Sequence, residues 1–170
     1  LADICAEVAD ALDATCKEND VELSFELSPA LAGLQTDARL LQLILRNLAE
    51  NAVKYTHPGT GVRVVAERLP TLEAPLDGMV LRIIDEGPGI PIAKQARVFE
   101  RFFQVDPART GSASRGTGLG LAIVKHAAKL LDGTVDVESV WGEGTTMVVS
   151  LPTSVRRTES KPANASDQGA

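Results

Sequence analysis

Two asparagines and a lysine, Asn47, Asn51 and Lys54, recur at helical spacing in an otherwise apolar segment. At about 100° per residue their side chains lie within roughly 60° of one another on one helix face. A carboxamide oxygen suits Mg²⁺, which takes few protein oxygens beside phosphate and water, and a lysine can pair with phosphate as a point charge. Because asparagine is a poor helix former, the pattern favours a metal-phosphate site, although an ordinary solvent-facing polar stripe remains the alternative.

A carboxylate followed by two glycines ends a predicted strand at Asp85, Gly87 and Gly89. Asp and Gly are turn formers, so a plain turn is one interpretation. In the functional interpretation, Asp85 is buried at the end of the strand and accepts a hydrogen bond from an adenine amino group. The glycines would then let the purine lie against bare backbone.

A glycine-rich segment, residues 111–120, opens directly into a predicted helix. Residues 111–117 have the spacing of a Walker loop without its lysine, and residues 116–120 depart from the dinucleotide fingerprint. A loop that runs into a helix N-terminus presents free N–H groups and the positive end of the helix dipole. The segment therefore indicates either an anion site or a flexible loop with a glycine-assisted helix start.

Composition limits the classes of function that remain. The 170 residues are 44% hydrophobic and 24% charged with a net charge of −6, which predicts one acidic globular domain. An acidic surface with few aromatic residues disfavours nucleic-acid binding, and no apolar run approaches the length that spans a bilayer. Cys5 and Cys16 lie on one predicted helix about 16 Å apart, too far for a disulfide.

Hydrophobic periodicity predicts four helices and five strands that must position these residues. The predicted helices cover 3–18, 38–54, 91–101 and 118–131, and the predicted strands cover 21–27, 61–69, 79–85, 134–140 and 144–151. Their order predicts an α/β (α+β) two-layer sandwich, with helices on one face of a mixed sheet. Residues 1–152 are expected to form the domain, and residues 153–170 a disordered tail.

In this order, the segments resemble the catalytic ATP-binding domain of sensor histidine kinases, in the superfamily of DNA gyrase, Hsp90 and MutL. The resemblance covers roughly residues 1–152 and is carried by five motifs: an N box at 47–56, glycine boxes at 85–89, 116–125 and 142–145, and an F box at 99–103. It implies a Bergerat-type fold with a mostly antiparallel sheet. ATP and Mg²⁺ are then expected between the N-box helix and a lid at about 104–115.

The resemblance also implies a role for each matching side chain. Asn51 is the expected Mg²⁺ ligand, with Asn47 beside the phosphates or the metal. Lys54 is expected to contact phosphate, Tyr55 to lie near the nucleoside, and Asp85 to bind the adenine amine.

Three arginines, Arg101, Arg109 and Arg115, are candidates to reach the γ-phosphate when the lid closes. Of these, Arg101 is assigned to catalysis together with Asn47 and Lys54. The resemblance further assigns nucleotide contacts to Gly87, Gly89, Ile90, Arg115, Gly116, Thr117, Gly118, Leu119, Gly120, Leu121 and Thr145.

The implied reaction is transfer of the ATP γ-phosphoryl group to a histidine on a separate dimerisation domain. Neither His57 nor His126 lies in a matching acceptor motif, so the chain is expected to be a fragment that holds the ATP-binding half only. Its expected partners are that dimerisation domain and, through it, a response regulator, with no nucleic acid and no direct membrane contact. The fragment is expected to be monomeric, and the full protein a homodimeric, membrane-anchored bacterial sensor kinase of which this is a cytoplasmic portion.

Two other functions remain open at this point. Gyrase-related ATPases use a glutamate near the start of the N box to activate water, and Asn47 occupies that place. An amide cannot act as a general base, which disfavours hydrolysis, although Glu50 on an adjoining helix face keeps it possible. The other open alternative is a nucleotide-binding regulatory module without catalysis. A third possibility, an anti-sigma-factor serine kinase, is disfavoured by the F box.

Overall fold

The computed structural model describes residues 1–33, 35–69, 78–105 and 116–152. Within these ranges it contains four α-helices, five strands and one short 3₁₀ turn, Pro29–Leu31. The helices are α1 Ala2–Asn19, α2 Ala38–Tyr55, α3 Ile92–Gln95 and α4 Gly120–Leu130. The strands are β1 Glu22–Leu27, β2 Gly61–Leu69, β3 Gly78–Asp85, β4 Thr134–Val140 and β5 Gly144–Pro152.

The five strands form one mixed sheet in the order β1-β2-β3-β5-β4. Strand β1 is parallel to β2, and the other three neighbouring pairs are antiparallel. The predicted mixed, mostly antiparallel sheet is therefore confirmed. Its register places Asp85, the last residue of β3, opposite Thr145 near the start of β5.

The hydrophobic core lies between one face of this sheet and the three long helices. Because successive strand residues point to opposite faces, Val62, Val64 and Ala66 are fully buried, while Arg63 and Glu67 on the alternate positions are exposed. The largest core side chains come from both layers: Val8, Leu41, Ile44, Leu45, Leu48, Val53, Leu81, Ile83, Val124 and Leu151. The two-layer α/β class predicted from the sequence is confirmed.

Helix α2 is the crossover that joins the parallel strands β1 and β2. It begins at an Asp37 cap, whose Oδ1 accepts hydrogen bonds from the backbone N–H groups of Arg39 (2.9 Å) and Leu40 (3.0 Å). This contact satisfies two of the N–H groups that every helix start leaves without an intrahelical partner. One face of α2 is buried along its length, so the helix is held rigidly against the sheet.

Two predicted helices are shorter in the structure than in the sequence prediction. The helix predicted over 118–131 starts only at Gly120, because Gly118 has φ +67°, which is incompatible with an α-helix. The helix predicted over 91–101 is helical only at Ile92–Gln95 and continues as turns to Phe102, which has φ +63°.

The predicted tail at 153–170 and most of the predicted lid, 106–115, lie outside the described residues. Among helices of the described ranges, none has both the length and the apolar composition needed to cross a bilayer.

Candidate functional site

The polar residues of α2 meet the glycine-rich segment that precedes and begins α4. A Cβ atom added at Gly120 would lie 3.2 Å from Asn47 Oδ1 and 3.5 Å from Asn51 Nδ2. A Cβ added at Gly116 would lie 3.2 Å from Lys54 Nζ. Segments about 70 residues apart in the chain therefore come together at one place, and glycine allows the backbone to approach the amides and the ammonium group.

The orientation of the Asn47 side chain is set by its own helix. Its Nδ2 donates a hydrogen bond of 2.8 Å to the carbonyl oxygen of Leu43, one turn earlier. Its Oδ1 faces the backbone at Gly120. The side chain is only partly buried, so this oxygen lies where α4 begins and free N–H groups are available.

Lys54 and Tyr55 continue the same surface to the end of α2. The Lys54 ammonium lies 5.4 Å from the centre of the Tyr55 ring, within cation–π range. Partial burial raises the pKa of the Tyr55 hydroxyl above its usual value, so this group stays protonated at neutral pH.

Asp85 lies at the end of β3, next to the C-terminal end of α2. Its Oδ1 accepts a 2.9 Å hydrogen bond from the Gly87 backbone N–H. Burial raises the pKa of this half-buried carboxyl, and the opposing effects of the Gly87 and Thr145 N–H groups and of His57 are smaller. A Cβ at Gly87 would lie 2.6 Å from the Tyr55 carbonyl oxygen, so the strand end and the helix end are in direct backbone contact.

The turn between β4 and β5 packs against the end of β3 and the loop that follows Asp85. Gly144 has φ +126°, and a Cβ there would collide with the Asp85 carbonyl oxygen. Gly89 has φ +68°, and a Cβ there would collide with the carbonyl of Val140. Both glycines are therefore required to bring the loop after Asp85 and this turn together.

Two hydroxyl residues that the sequence analysis did not single out connect these segments. Thr56 is buried, and its Oγ1 accepts a 3.1 Å hydrogen bond from the Glu86 N–H, which joins the end of α2 to the loop after β3. Ser139 Oγ accepts a 2.8 Å bond from the Ile90 N–H and donates a 2.7 Å bond to the Gly144 carbonyl. The sequence gives one indication of this role, because Ser139 is a polar residue that follows Val135 and Val137 on the inward row of β4.

The F box and the residue after it are hydrogen-bonded to the glycine-rich segment. Phe102 N–H donates a 2.8 Å bond to the Gly118 carbonyl, and Gln104 Nε2 donates a 2.5 Å bond to the Gly116 carbonyl. The Phe102 ring is 72% exposed, whereas Val98 is buried and Phe99 packs against the core. Part of this motif therefore packs inside, and part presents an apolar ring to solvent.

Most of the predicted site residues fall into two neighbouring groups. The first joins Asn47, Asn51, Lys54, Tyr55, Gly116 and Gly120, and the second joins Asp85, Gly87, Gly89, Ile90 and Thr145. Between Gly116 and Gly120, Thr117 Oγ1 accepts a 3.4 Å bond from the Leu119 N–H, and Leu121 packs partly against the core.

Of the three arginines predicted to reach the γ-phosphate, Arg101 lies within the described residues. Arg101 is exposed in the turn that follows α3. Arg109 and Arg115 lie outside the described residues.

The donor set of the first group fits a magnesium ion bound together with phosphate. Within the described part of the chain, no cluster of three or more His, Cys, Asp or Glu side chains has the arrangement of a metal site. Neutral amide oxygens with a nearby ammonium group instead suit an ion that brings phosphate and water as its other ligands.

Comparison with known proteins agrees with this geometry. Residues 36–155 match the family described as histidine kinase-, DNA gyrase B- and HSP90-like ATPase. The chain is similar to the sensor histidine kinase AtsR of Burkholderia thailandensis, with 35% identity over 152 residues that cover 89% of this chain and 25% of that protein. It is also similar to the probable sensor histidine kinase TcrY of Mycobacterium tuberculosis, with 41% identity over 140 residues that cover 82% of this chain and 28% of that protein.

A solved structure shares the fold as well. The structure of full-length ShkA in complex with AMPPNP superposes with a TM-score of 0.74 and 30% sequence identity, over 89% of this chain and 30% of that one. The chain thus spans about a quarter to a third of the length of the relatives it matches. On the evidence of the matched residues and of these relatives, the chain belongs to the histidine kinase-, DNA gyrase B- and HSP90-like ATPase family, as a domain of the sensor histidine kinase type.

Proposed function

We propose that the chain binds Mg-ATP and transfers its γ-phosphoryl group to a histidine on a separate dimerisation and phosphoacceptor domain. The observation that carries the proposal is the meeting of α2 with the glycine-rich segment: Asn47 and Asn51 face Gly120, and Lys54 faces Gly116. Two amides, an ammonium group and a helix N-terminus at one place are complementary to a metal-bound triphosphate.

In this proposal the second group of residues binds the adenine base, and the first group binds the metal ion and the phosphates. The carboxylate of Asp85 accepts a hydrogen bond from the exocyclic amine of adenine, and Tyr55 lies beside the nucleoside. Asn51 holds Mg²⁺, with Asn47 beside it, and Lys54 contacts phosphate. When bound, the ion neutralises charge on the phosphate oxygens, on which phosphoryl transfer depends more than on covalent chemistry by the protein.

The residues of α2 favour transfer over hydrolysis. Asn47 stands where a water-activating base would be needed, and its amide cannot accept a proton. Glu50, on an adjoining face of the helix, is exposed to solvent. A kinase needs no such base from this domain, because the acceptor imidazole supplies its own nucleophilic nitrogen.

Exposed apolar side chains next to the site support a protein as the acceptor. Leu43, Phe102 and Ile123 are exposed, and each belongs to a residue hydrogen-bonded to a predicted site residue, respectively Asn47, Gly118 and Leu119. Exposed large apolar groups near a polar site are typical of a surface that another protein covers. A response regulator would act downstream of that acceptor domain, and the whole protein would be a membrane-anchored bacterial kinase of which this domain is a cytoplasmic part.

Calorimetric titration with ATP, with and without Mg²⁺, tests the binding half of the proposal. Asn51→Ala should weaken Mg-ATP binding by about tenfold or more, because a metal ligand is lost, and should abolish the difference between titrations with and without Mg²⁺. Gln42→Ala is the matched control, since it removes an amide of α2 that bonds to Glu7. Equal heats for wild type and Asn51→Ala would overturn the assignment.

Phosphoryl transfer in trans tests the catalytic half. The chain is incubated with γ-labelled ATP and a separately supplied acceptor domain from a related kinase, and acid-labile, base-stable label on the acceptor histidine is measured. Tight Mg-ATP binding without transfer to any matching acceptor would identify a silent nucleotide-binding module. Release of inorganic phosphate without an acceptor would identify an ATPase.

A further inference from the structure

Ser139 lies on the inward row of β4, opposite Thr145 of β5. Its hydroxyl oxygen lies within hydrogen-bond distance of three groups: the Ile90 N–H at 2.8 Å, the Gly144 carbonyl at 2.7 Å and the Thr145 hydroxyl at 3.0 Å. One serine thus connects the loop after Asp85 with the turn between β4 and β5, and it touches a residue predicted to contact the nucleotide.

Counting protons fixes the direction of each of these bonds. A serine hydroxyl has one proton to donate and two lone pairs to accept. The Gly144 carbonyl can only accept, so it takes the Ser139 proton. The Ile90 N–H can only donate, so it occupies one lone pair of Ser139. The Ser139 proton is then used, and only one lone pair of its oxygen remains. The contact with Thr145 is therefore a hydrogen bond only if the Thr145 hydroxyl donates to Ser139.

This direction leaves the Thr145 hydroxyl with lone pairs alone for any other neighbour. Asp85 is the direct cross-strand partner of Thr145, so the two side chains point to the same face of the sheet. An ionised carboxylate is also an acceptor only. The end of the sheet therefore presents two adjacent acceptors.

We propose that Ser139 is a positioning residue that sets the base selectivity of the nucleotide site, by holding the Thr145 hydroxyl in its acceptor orientation. An acceptor-only edge favours a 6-aminopurine, whose exocyclic amine donates, over a 6-oxopurine, whose oxygen can only accept. The inference rests on the proposed function, since it concerns the base of the nucleotide that Asp85 binds. Without Ser139, the Thr145 proton is free to turn towards a 6-oxo group.

The test compares the affinities for Mg-ATP and Mg-ITP by calorimetry. Wild type should prefer ATP, and Ser139→Ala should lower the ATP-to-ITP affinity ratio by about 3- to 10-fold, the range of a single hydrogen bond. Ser139→Thr, which keeps the hydroxyl, should restore the ratio. Ser24→Ala is the matched control, because the Ser24 hydroxyl bonds only weakly (3.4 Å) to the Val62 carbonyl, in a strand at the other edge of the sheet.

A double-variant cycle separates selectivity from general structural support. Thr145→Val should lower the ratio by itself, and adding Ser139→Ala to Thr145→Val should change the ratio no further, because no threonine proton remains to be directed. A purely structural role for Ser139 would weaken ATP and ITP equally and leave the ratio unchanged, which would overturn the inference.

Failure of this inference and failure of the proposed function give different results. Wild-type chain that binds no ATP contradicts the proposed function, whereas wild type that prefers ATP, with an unchanged ratio in Ser139→Ala, contradicts only the role of Ser139. Should Ser139→Ala not fold, Ser139→Thr and Thr145→Val decide the question. The inference requires the ratio to persist in Ser139→Thr and to fall in Thr145→Val, and either opposite result overturns it.

Discussion

Both ends of the sheet have glycines in close contact with neighbouring atoms, but the two ends carry different side chains. At the end proposed to bind nucleotide, called the ligand end and comprising Asp85, Gly87, Gly144 and Thr145, a Cβ on either glycine would meet backbone carbonyl oxygens. At the opposite end, defined by Gly78 and Gly133, a Cβ would also meet backbone and core atoms. Close approach at glycine therefore marks dense packing at both ends and does not by itself identify a ligand site.

The polar groups make the difference between the ends. Around Gly78 and Gly133 the crowding side chains are the apolar Leu69 and Leu151. The ligand end instead brings together the Asp85 carboxyl and the hydroxyl groups of Thr56, Ser139 and Thr145. The feature that distinguishes a candidate ligand site is thus a cluster of polar side chains beside tight glycine turns. Substitutions at the ligand end should mainly change Mg-ATP affinity, whereas substitutions at the opposite end should mainly change the free energy of unfolding.

The largest expected effect is loss of nucleotide affinity in Asp85→Asn. An amide puts N–H groups where the proposed adenine amine needs an acceptor, so Mg-ATP affinity should fall by about 100-fold or more. Asp136→Asn, on the exposed side of β4, should leave affinity unchanged. Calorimetric titration measures both variants, and wild-type affinity in Asp85→Asn would remove the proposed distinction between the ends.

Gly133→Ala should have the opposite profile. Its Cβ would collide with the Ser150 carbonyl and lie 2.6 Å from Leu151 Cδ2, so overpacking should lower the free energy of unfolding by about 1–3 kcal/mol. Mg-ATP affinity of the folded protein should stay at the wild-type value. Urea denaturation and calorimetry check the two parts, and a large loss of affinity would show that the ends are coupled.

A smaller loss of stability is expected from Asp37→Ala. This cap begins α2, and the 18 residues of the helix place it about 27 Å from the ligand end. Losing the two bonds to Arg39 and Leu40 should lower the free energy of unfolding by about 1 kcal/mol. Thermal unfolding measures the change, and an unchanged ATP affinity would support independence of the two ends of α2.

The smallest effect concerns pH, and its direction follows from the raised pKa of Asp85. The folded protein holds this proton to higher pH than the unfolded chain does, so the contribution of Asp85 to stability is full below the ordinary carboxyl pKa of 3.8. It is lost as pH rises through the raised pKa. Unfolding free energies of wild type and Asp85→Asn, measured without nucleotide from acid to neutral pH, should therefore diverge, with wild type losing stability relative to the variant.

Local sequence patterns were sufficient to predict the layers of the fold and to single out Asn47, Asn51, Lys54 and Asp85 as candidate site residues, whereas Ile90 and Thr145 followed only from the family resemblance. The 3.6-residue period of α2 and the two-residue period of the strands are properties of short segments, and they predicted the elements to within one or two residues in most cases. The roles of Asn47, Asn51, Lys54 and Asp85 in binding nucleotide stay predictions.

Local sequence patterns could not predict features that depend on residues far away in the chain. Ser139 gains its role from the register of β4 and β5 and from the Ile90 N–H, 49 residues away in the chain. Thr56 likewise acts through the Glu86 N–H, 30 residues away. The late start of α4 follows from the contact of Gly118 with the Phe102 backbone, and no local periodicity reports such a contact.

The hydrogen bond from Asn47 to its own helix reduces the conformational entropy that this side chain would lose when a ligand binds. Turning this amide over would bring its oxygen against the Leu43 carbonyl, so one orientation is held in the folded chain. An incoming cation then meets an amide oxygen whose orientation is already fixed, and little rotamer freedom is left to lose at that side chain. Folding itself has thus done part of the ordering that binding would otherwise require.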